Sequence, residues 1–353
     1  MQLPHANLFS QLIKAKYSNS RVILGGPGTV TPQFVDFDVV DSIMLGEGEI
    51  SINDFIFDEK KEKEYTGKAY NNINSYAFPA RYLVDNQGGN IFGRNKNYFK
   101  GGSAQIITSR GCNHKCAFCA APKINDCLRF RDIDNVIDEI KDIIKTYGIK
   151  QFRIADDNFT ANRNRVFEFC EKVAPLGIVF RISARVKPLD IEMLKVMKGA
   201  GLKEISLGVE TFDDNVLRIL KKKSTVADNY IALDNCKIVG IKTRALLMIG
   251  TPGQTYHTIV QNMNAIKELK PDVIACTRFI PIPGSDIYEN PKSYRINIIN
   301  YNLEDYNFYS FGKDGRRILP RIIEFLDRDT GEVERESELF LDYLQLTGRL
   351  NQG

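Results

Sequence analysis

At 353 residues and 43% hydrophobic, the chain is long enough for one large core or two smaller ones. A formal net charge of +4 is too weak to argue for nucleic acid or an anionic membrane as partner, and no apolar run reaches the ~20 residues that span a bilayer. The first residues, Met1-Gln2-Leu3-Pro4-His5, lack the basic-then-apolar pattern of a secretion signal, so a cytoplasmic protein is the expectation.

Up to about residue 57 the chain reads as a helix, a strand at Arg21–Leu24, a Gly-rich turn (Gly25-Gly26-Pro27-Gly28) and a second strand at Ser42–Leu45. These are pieces of an α/β layer, too few to close a domain. Residues 58–103 are rich in Lys, Asn, Tyr and Gly with little periodicity, and read as a linker with short strands. From Ala104 six strand-like runs alternate with helix-like runs: Ala104–Thr108, Gln151–Ala155, Val179–Ala184, Glu204–Val209, Thr243–Ile249 and Val273–Phe279. Ile133, Val136, Ile137, Ile140, Ile143 and Ile144 follow helical spacing, with Asp132 placed to cap the start and Gly148 the end. Repeated strand–helix units imply a parallel sheet with right-handed crossovers. Six units leave an open barrel and a doubly wound sheet both available, with the active site at the C-terminal strand ends in either case. The barrel is placed at 104–288 and a C-terminal extension at 289–353.

Seven cysteines without a secretion signal argue against a disulfide framework. Cys170, Cys236 and Cys276 fall in regular elements and read as small core residues. Cys112, Cys116 and Cys119 lie within eight residues, directly after the first strand. Iron in iron–sulfur clusters usually takes one thiolate each, so three cysteines leave one iron open, and an open position is what a catalytic centre keeps. The alternatives are a zinc site using His114 or Cys127, and a non-catalytic iron–sulfur scaffold or electron carrier with Cys127 as fourth ligand.

The segment Cys112-Asn113-His114-Lys115-Cys116-Ala117-Phe118-Cys119 resembles the C-x-x-x-C-x-aromatic-C signature of the radical S-adenosylmethionine (SAM) superfamily. Five further segments resemble that superfamily in order, each at a strand end. They are Ala155-Asp156-Asp157-Asn158-Phe159, Ser183-Ala184-Arg185, Leu207-Gly208-Val209-Glu210, Met248-Ile249-Gly250-Thr251-Pro252-Gly253 and Pro281-Ile282-Pro283-Gly284-Ser285. The resemblance implies an open six-stranded parallel β/α barrel, a partial TIM barrel preceded by a partial Rossmann-like α/β segment. It implies a [4Fe–4S] cluster on Cys112, Cys116 and Cys119 that binds and reductively cleaves SAM, starting radical chemistry on a substrate. Phe118, Asp156, Asp157, Ser183, Arg185, Gly208, Glu210 and Gly250 are then the expected SAM-binding residues, with Asp156 and Asp157 facing the methionyl amino group. Glu210 stands out on its own terms, since a carboxylate ending an apolar strand is costly to bury without purpose.

Residues 1–57 resemble the last third of the cobalamin-binding domain that precedes the barrel in one branch of the family. The D-x-H-x-x-G ligand motif of that domain is absent; Leu3 and Leu8 flank His5 at the Asp and Gly positions. The expectation is a naturally shortened domain, with cobalamin binding left open; a chain cut short or a domain completed by another chain are the alternatives. Arg94, Lys96, Lys100, Arg110, Lys115, Lys123, Arg129 and Arg131 flank the cysteines against one acid, Asp126, a stretch suited to an acidic reductant of flavodoxin or ferredoxin type or to a solvated face. Lys221-Lys222-Lys223 reads as an exposed helix end. The aromatics Tyr294, Tyr301, Tyr306, Phe308, Tyr309 and Phe311 read as core packing, and Glu336–Leu346 as a helix docked on the barrel.

Overall fold

Alternation of apolar and polar residues puts every second side chain of a strand on the same face, and the six runs that show it form one sheet. The structure, a computed structural model, describes residues 3–58, 62–67, 69, 72–83, 102–125, 127–306, 320–348 and 350. The strands are β1 (Ala104–Ile106), β2 (Gln151–Ile154), β3 (Val179–Arg185), β4 (Leu202–Glu210), β5 (Lys242–Ile249) and β6 (Val273–Arg278). They lie side by side in chain order, and every neighbouring pair is parallel. This is the open six-stranded β/α barrel, and it removes the doubly wound alternative, whose strand order would reverse.

Helices α1 (Ile133–Tyr147), α2 (Arg163–Val173), α3 (Ile191–Gly199), α4 (Val226–Val239), α5 (Tyr256–Leu269) and α6 (Thr330–Leu346) accompany the sheet. Their ends follow local chemistry. Gly148 closes α1 in the left-handed region at φ 67°, its N–H on the Ile144 carbonyl. Asp132 occupies the N-cap position of α1, but its side chain makes no cap hydrogen bond. Asp190 caps α3 by accepting from the Met193 amide at 2.8 Å. Phe169 of α2 meets Phe159 and Phe180 edge-on at 5.3 and 5.5 Å, which fixes the helix-facing side of the sheet. Burying each such ring contributes roughly 2–3 kcal/mol.

Helix α6 begins six residues before the expected Glu336, because Asp329 caps it ahead of Gly331. It packs on the barrel through the Tyr343 hydroxyl, which donates to the Met263 carbonyl of α5 at 3.1 Å, and through Glu338, 3.6 Å from Arg278. These elements belong to one unit, Ala77–Lys115, Cys127–Phe279 and Asp329–Gly353.

The second unit comprises Met1–Tyr76, Cys116–Asp126 and Ile280–Arg328. Its three short strands, Ile23–Leu24, Ser42–Leu45 and Glu64–Thr66, are parallel, and Met44, Phe55 and Tyr65 form a small core beside the second. Gly26, at φ 89°, makes the Gly-rich segment a turn. Helix Leu3–Lys16 is inverted for a docked helix. Asn7 and Lys14 face the unit, bonding the Phe34 carbonyl and Asp41, and Ser10 is buried with its hydroxyl on the helix's own Ala6 carbonyl, while Leu8, Phe9, Leu12 and Ile13 are exposed. Tyr294 and Tyr306 are buried, and the Tyr306 hydroxyl donates to the Asn300 carbonyl at 2.9 Å. Phe308, Tyr309 and Phe311 lie outside the described residues, as do Arg94, Lys96 and Lys100. No helix among the described residues is long and apolar enough to cross a membrane.

Candidate active site

The loop that carries the first cysteine is rooted on a buried carboxylate. Asp156, just past β2, is 4% exposed. One of its oxygens accepts from the Thr108 amide at 2.6 Å; the other accepts from the Thr108 and Ser109 hydroxyls at 2.5 and 2.6 Å. Arg165 of α2 closes the root from below, donating to the Thr108 hydroxyl and to the carbonyls of Thr108 and Arg131 at 2.9–3.1 Å. Burial pushes the Arg165 guanidinium pKa down, against the charge of Asp156. The two carboxylates expected to act together are therefore divided. Asp156 is taken up by the chain itself. Asp157 stands exposed beside it and accepts from the Gly111 amide; partial desolvation first, and the Asp156 charge second, raise its pKa.

The ends of β3 and β4 bring Arg185, Gly208 and Glu210 together with a residue the sequence pattern misplaces. Lys222 is not the exposed end of a helix: it is 4% exposed, while Lys221 and Lys223 on either side are open. Its Nζ lies 2.5 Å from Glu210 Oε1, both side chains more than nine-tenths buried. Its carbonyl accepts from the Arg185 guanidinium. A Cβ on Gly208 would stand 2.7 Å from both Glu210 Oε1 and Lys222 Nζ, so the glycine makes room for the ion pair. Glu210, Lys221 and Lys223 all hold positive φ, at 64°, 52° and 54°. Such backbone costs about 1–3 kcal/mol per residue for a non-glycine and persists only where the surroundings enforce it. Asn158 ties β2 to β3 by accepting from the Arg185 amide at 3.3 Å. Ser183 is half-buried one row below Arg185, in register with Ser206.

Sequence patterns gave little warning of Lys222 or Asn158. The one usable signal was that a buried Glu210 demands a cation, and the nearest basic run is Lys221-Lys222-Lys223.

Gly250 follows β5 at φ 72°, and its amide donates to Gln254 at 2.7 Å. Gln254 in turn donates to Ser337 of α6 at 3.4 Å, so the C-terminal helix braces this turn.

Among the cysteines, Cys112 and Cys119 are half-buried and Cys116 is buried. Cys112 belongs to the barrel unit, Cys116 and Cys119 to the other. The Cys119 amide donates to the Cys116 carbonyl at 3.1 Å, and the Ala121 amide donates to Cys119 Sγ at 3.4 Å. Half-buried Phe118 sits within this turn. His114 has its pKa lowered to about 4, by burial first and then by Arg185, Lys222 and Lys223. His114 therefore lies in the positive field of the strand ends. Cys170, Cys236 and Cys276 are buried, and burial pushes the first two thiols up to about 12. Cys127 is exposed.

Among the described residues no three His, Cys, Asp or Glu side chains gather to hold a single metal ion. A cubane cluster asks for something different, one thiolate on each of several irons. Three thiols in eight residues, one already accepting an amide hydrogen bond of the kind that tunes such clusters, fit that demand. The basic flank is smaller than its sequence suggests: Arg131 and Arg81 clamp the buried Glu139 at 2.5 and 2.6 Å.

Comparison with known proteins adds the following. Residues 106–266 match the radical SAM superfamily model. The chain is 30% identical over 204 residues to the anaerobic magnesium-protoporphyrin IX monomethyl ester cyclase of Rubrivivax gelatinosus, covering 57% of this chain and 36% of the relative. It is 25% identical over 299 residues to an uncharacterised methyltransferase of Pyrococcus horikoshii, covering 79% and 65%. The chain thus spans from about a third to two thirds of the length of these relatives. Among solved structures it resembles the radical SAM methyltransferase TsrM of Kitasatospora setae with tryptophan and a SAM analogue bound, at TM-score 0.72 and 16% identity, covering 99% of this chain and 76% of that one. It also resembles the cobalamin-dependent radical SAM enzyme OxsB, at TM-score 0.63 and 21% identity, covering 83% and 46%.

Proposed function

From the premise that this chain, through residues 106–266, belongs to the radical SAM superfamily, we propose that it is an enzyme whose Cys112, Cys116 and Cys119 hold a [4Fe–4S] cluster and whose strand ends hold SAM. When bound, the cluster and SAM supply a one-electron reductive cleavage of SAM that begins radical chemistry on a substrate. The observation that carries this reading is how the cysteine loop is tied to the strand ends. Asp156 anchors its root, Asp157 accepts from Gly111, and His114 lies in the field of Arg185, Lys222 and Lys223.

Each residue then has a distinct task. Asp157, the exposed carboxylate of the pair, faces the methionyl ammonium, and Asp156 keeps the loop in place. Arg185 presents positive charge suited to a carboxylate. Lys222 neutralises Glu210, so that a buried acid is carried at the strand end without an uncompensated charge. Gly250 and Gln254 hold the β5 turn from beneath. The chain needs a one-electron reductant, and among the described residues the exposed Lys115 and Lys123 and the half-buried Arg110 and Arg129 make up the basic flank that would receive an acidic one.

Anaerobic reconstitution with iron and sulfide, then dithionite and SAM, is expected to yield 5′-deoxyadenosine or a methylated product. Release of neither, from protein that has taken up iron and acid-labile sulfide, would favour an electron carrier. Titration with cobalamin separates the reaction classes: saturable binding supports methyl transfer, the activity named for TsrM, and its absence supports hydrogen abstraction.

A further inference from the structure

Strand β4 ends in a strained turn. The Thr211 amide donates to the Val209 carbonyl at 2.9 Å, closing a three-residue loop around Glu210. With Glu210 at φ 64°, this is the positive-φ form of the γ-turn, the rare and strained one. The strand bulges at the same point. Gly208 pairs with Leu246 and Glu210 with Leu247 on β5, so Val209 is the extra residue. Bulges beside a site re-aim the side chains around them. Glycine would take the backbone of residue 210 without strain, so a carboxylate there means that the side chain itself is wanted.

Two buried asparagines hold this turn from the helix side. Asn229 of α4 and Asn262 of α5 are at most 1% exposed. Asn229 Nδ2 donates to the carbonyls of Val209 at 3.2 Å and Thr211 at 2.9 Å, the residues on either side of Glu210. Asn262 Oδ1 accepts from the Thr211 hydroxyl at 3.1 Å and from the Phe212 amide at 2.6 Å. Asparagine is a poor helix former, and burying its amide is costly unless it is bonded. Asn229 Oδ1 has no hydrogen-bond partner among the described residues, a further cost in a buried group. Its placement therefore serves the two carbonyls and not the packing of α4. Strained backbone persists only where its surroundings enforce it, and it clusters at functional sites. Here the two enforcing side chains can be named.

We propose that Asn229 and Asn262 are positioning residues for the strand-end site. They hold residues 209–211 in the strained turn, so that the Glu210 carboxylate is presented at a fixed place at the end of β4. This rests on the reading of the strand ends as the SAM site, with Glu210 among its contacts. It extends that site to two side chains that reach it only through the backbone.

The test is calorimetric titration of SAM into the reconstituted, oxidised protein, with folding checked by chemical denaturation. Glu210→Gln is expected to weaken SAM binding about tenfold. Asn229→Ser, which removes the bridging amide without adding charge, and Asn262→Ala are each expected to weaken it by about the same factor while folded. Asn262→Asp keeps an accepting oxygen and should stay within about threefold of wild type. Asn229→Ser combined with Glu210→Gln should bind SAM no more weakly than Glu210→Gln alone, because the asparagine acts through that carboxylate. A merely structural asparagine would lose affinity in both backgrounds or in neither. The asparagines lie on separate helices, so either single variant decides the matter if the other fails to fold. Folded Asn229→Ser and Asn262→Ala proteins that bind SAM as wild type does, or losses that add in the double variant, would overturn the proposal. Unchanged SAM affinity in Glu210→Gln would instead count against the reading of Glu210 as a SAM contact.

Discussion

Lys222 is the middle of three lysines, and only the middle one is buried. Left-handed backbone at Lys221 and Lys223 turns the chain so that one side chain points inward and two outward. No sequence pattern announces this, because a run of lysines is compositionally a solvated face. Lys222→Ala would leave Glu210 as an uncompensated buried charge, and is expected to lower the unfolding free energy by about 3 kcal/mol. Chemical denaturation measures it, and Lys222→Arg should recover part of the loss; an alanine variant as stable as wild type would show that the pair carries no weight. The adjacent aspartates offer a sharper contrast. Asp156→Asn replaces an acceptor of three hydrogen bonds and should cost about 2 kcal/mol of stability. Asp157→Asn should leave the melting temperature in place and weaken SAM binding. Equal effects of the two on stability would refute the division of roles. The sequence marked both residues but could not assign them, since neighbours just past a strand point to opposite sides.

At the scale of elements the strands were the most legible part. Buried, mostly apolar residues recur at every second position where a strand packs on helices, as at Phe180, Ile182 and Ala184 of β3, and the six expected runs match the six strands to within two residues at each end. Helix ends were legible where a cap is chemical. Asp190→Ala should destabilise the fold by about 1 kcal/mol. The Met193 amide, first among its partners, holds the Asp190 carboxyl below the usual range, so the contribution is present above the ordinary aspartate pKa and lost as pH falls through the lowered value. Denaturation of wild type and variant at neutral pH and near pH 3 (about one unit below the ordinary value) checks this, with the gap closing in acid. Helix Leu3–Lys16 was legible as a helix but not in its orientation. Leu8, Phe9, Leu12 and Ile13 face outward because Asn7 and Lys14 find hydrogen-bonding partners on the inner side, where Ser10 is also buried. Leu12→Glu is accordingly expected to change stability by less than ~0.5 kcal/mol; a loss of several times that would show the face to be buried in solution.

At the scale of the molecule, the chain divides into a barrel unit and a smaller α/β unit, and the division passes through the cysteine loop. This was not legible from the sequence, where the motif reads as one continuous loop, residues up to 288 as barrel and 289–353 as a C-terminal extension. The make-up of the smaller unit depends on pairings far apart in the chain, such as the Ile287 amide with the Ala117 carbonyl at 3.0 Å, and local pattern does not encode them. The three cysteines, by contrast, stand out in the sequence through their count and spacing alone. The account's central claim is that these cysteines and the strand ends serve one reaction. The most direct measurement is the EPR spectrum of the reconstituted, dithionite-reduced protein with and without SAM. The account predicts a [4Fe–4S] signal whose g-values shift when SAM is added, lost in Cys112→Ala, Cys116→Ala and Cys119→Ala; a cluster signal indifferent to SAM would contradict it.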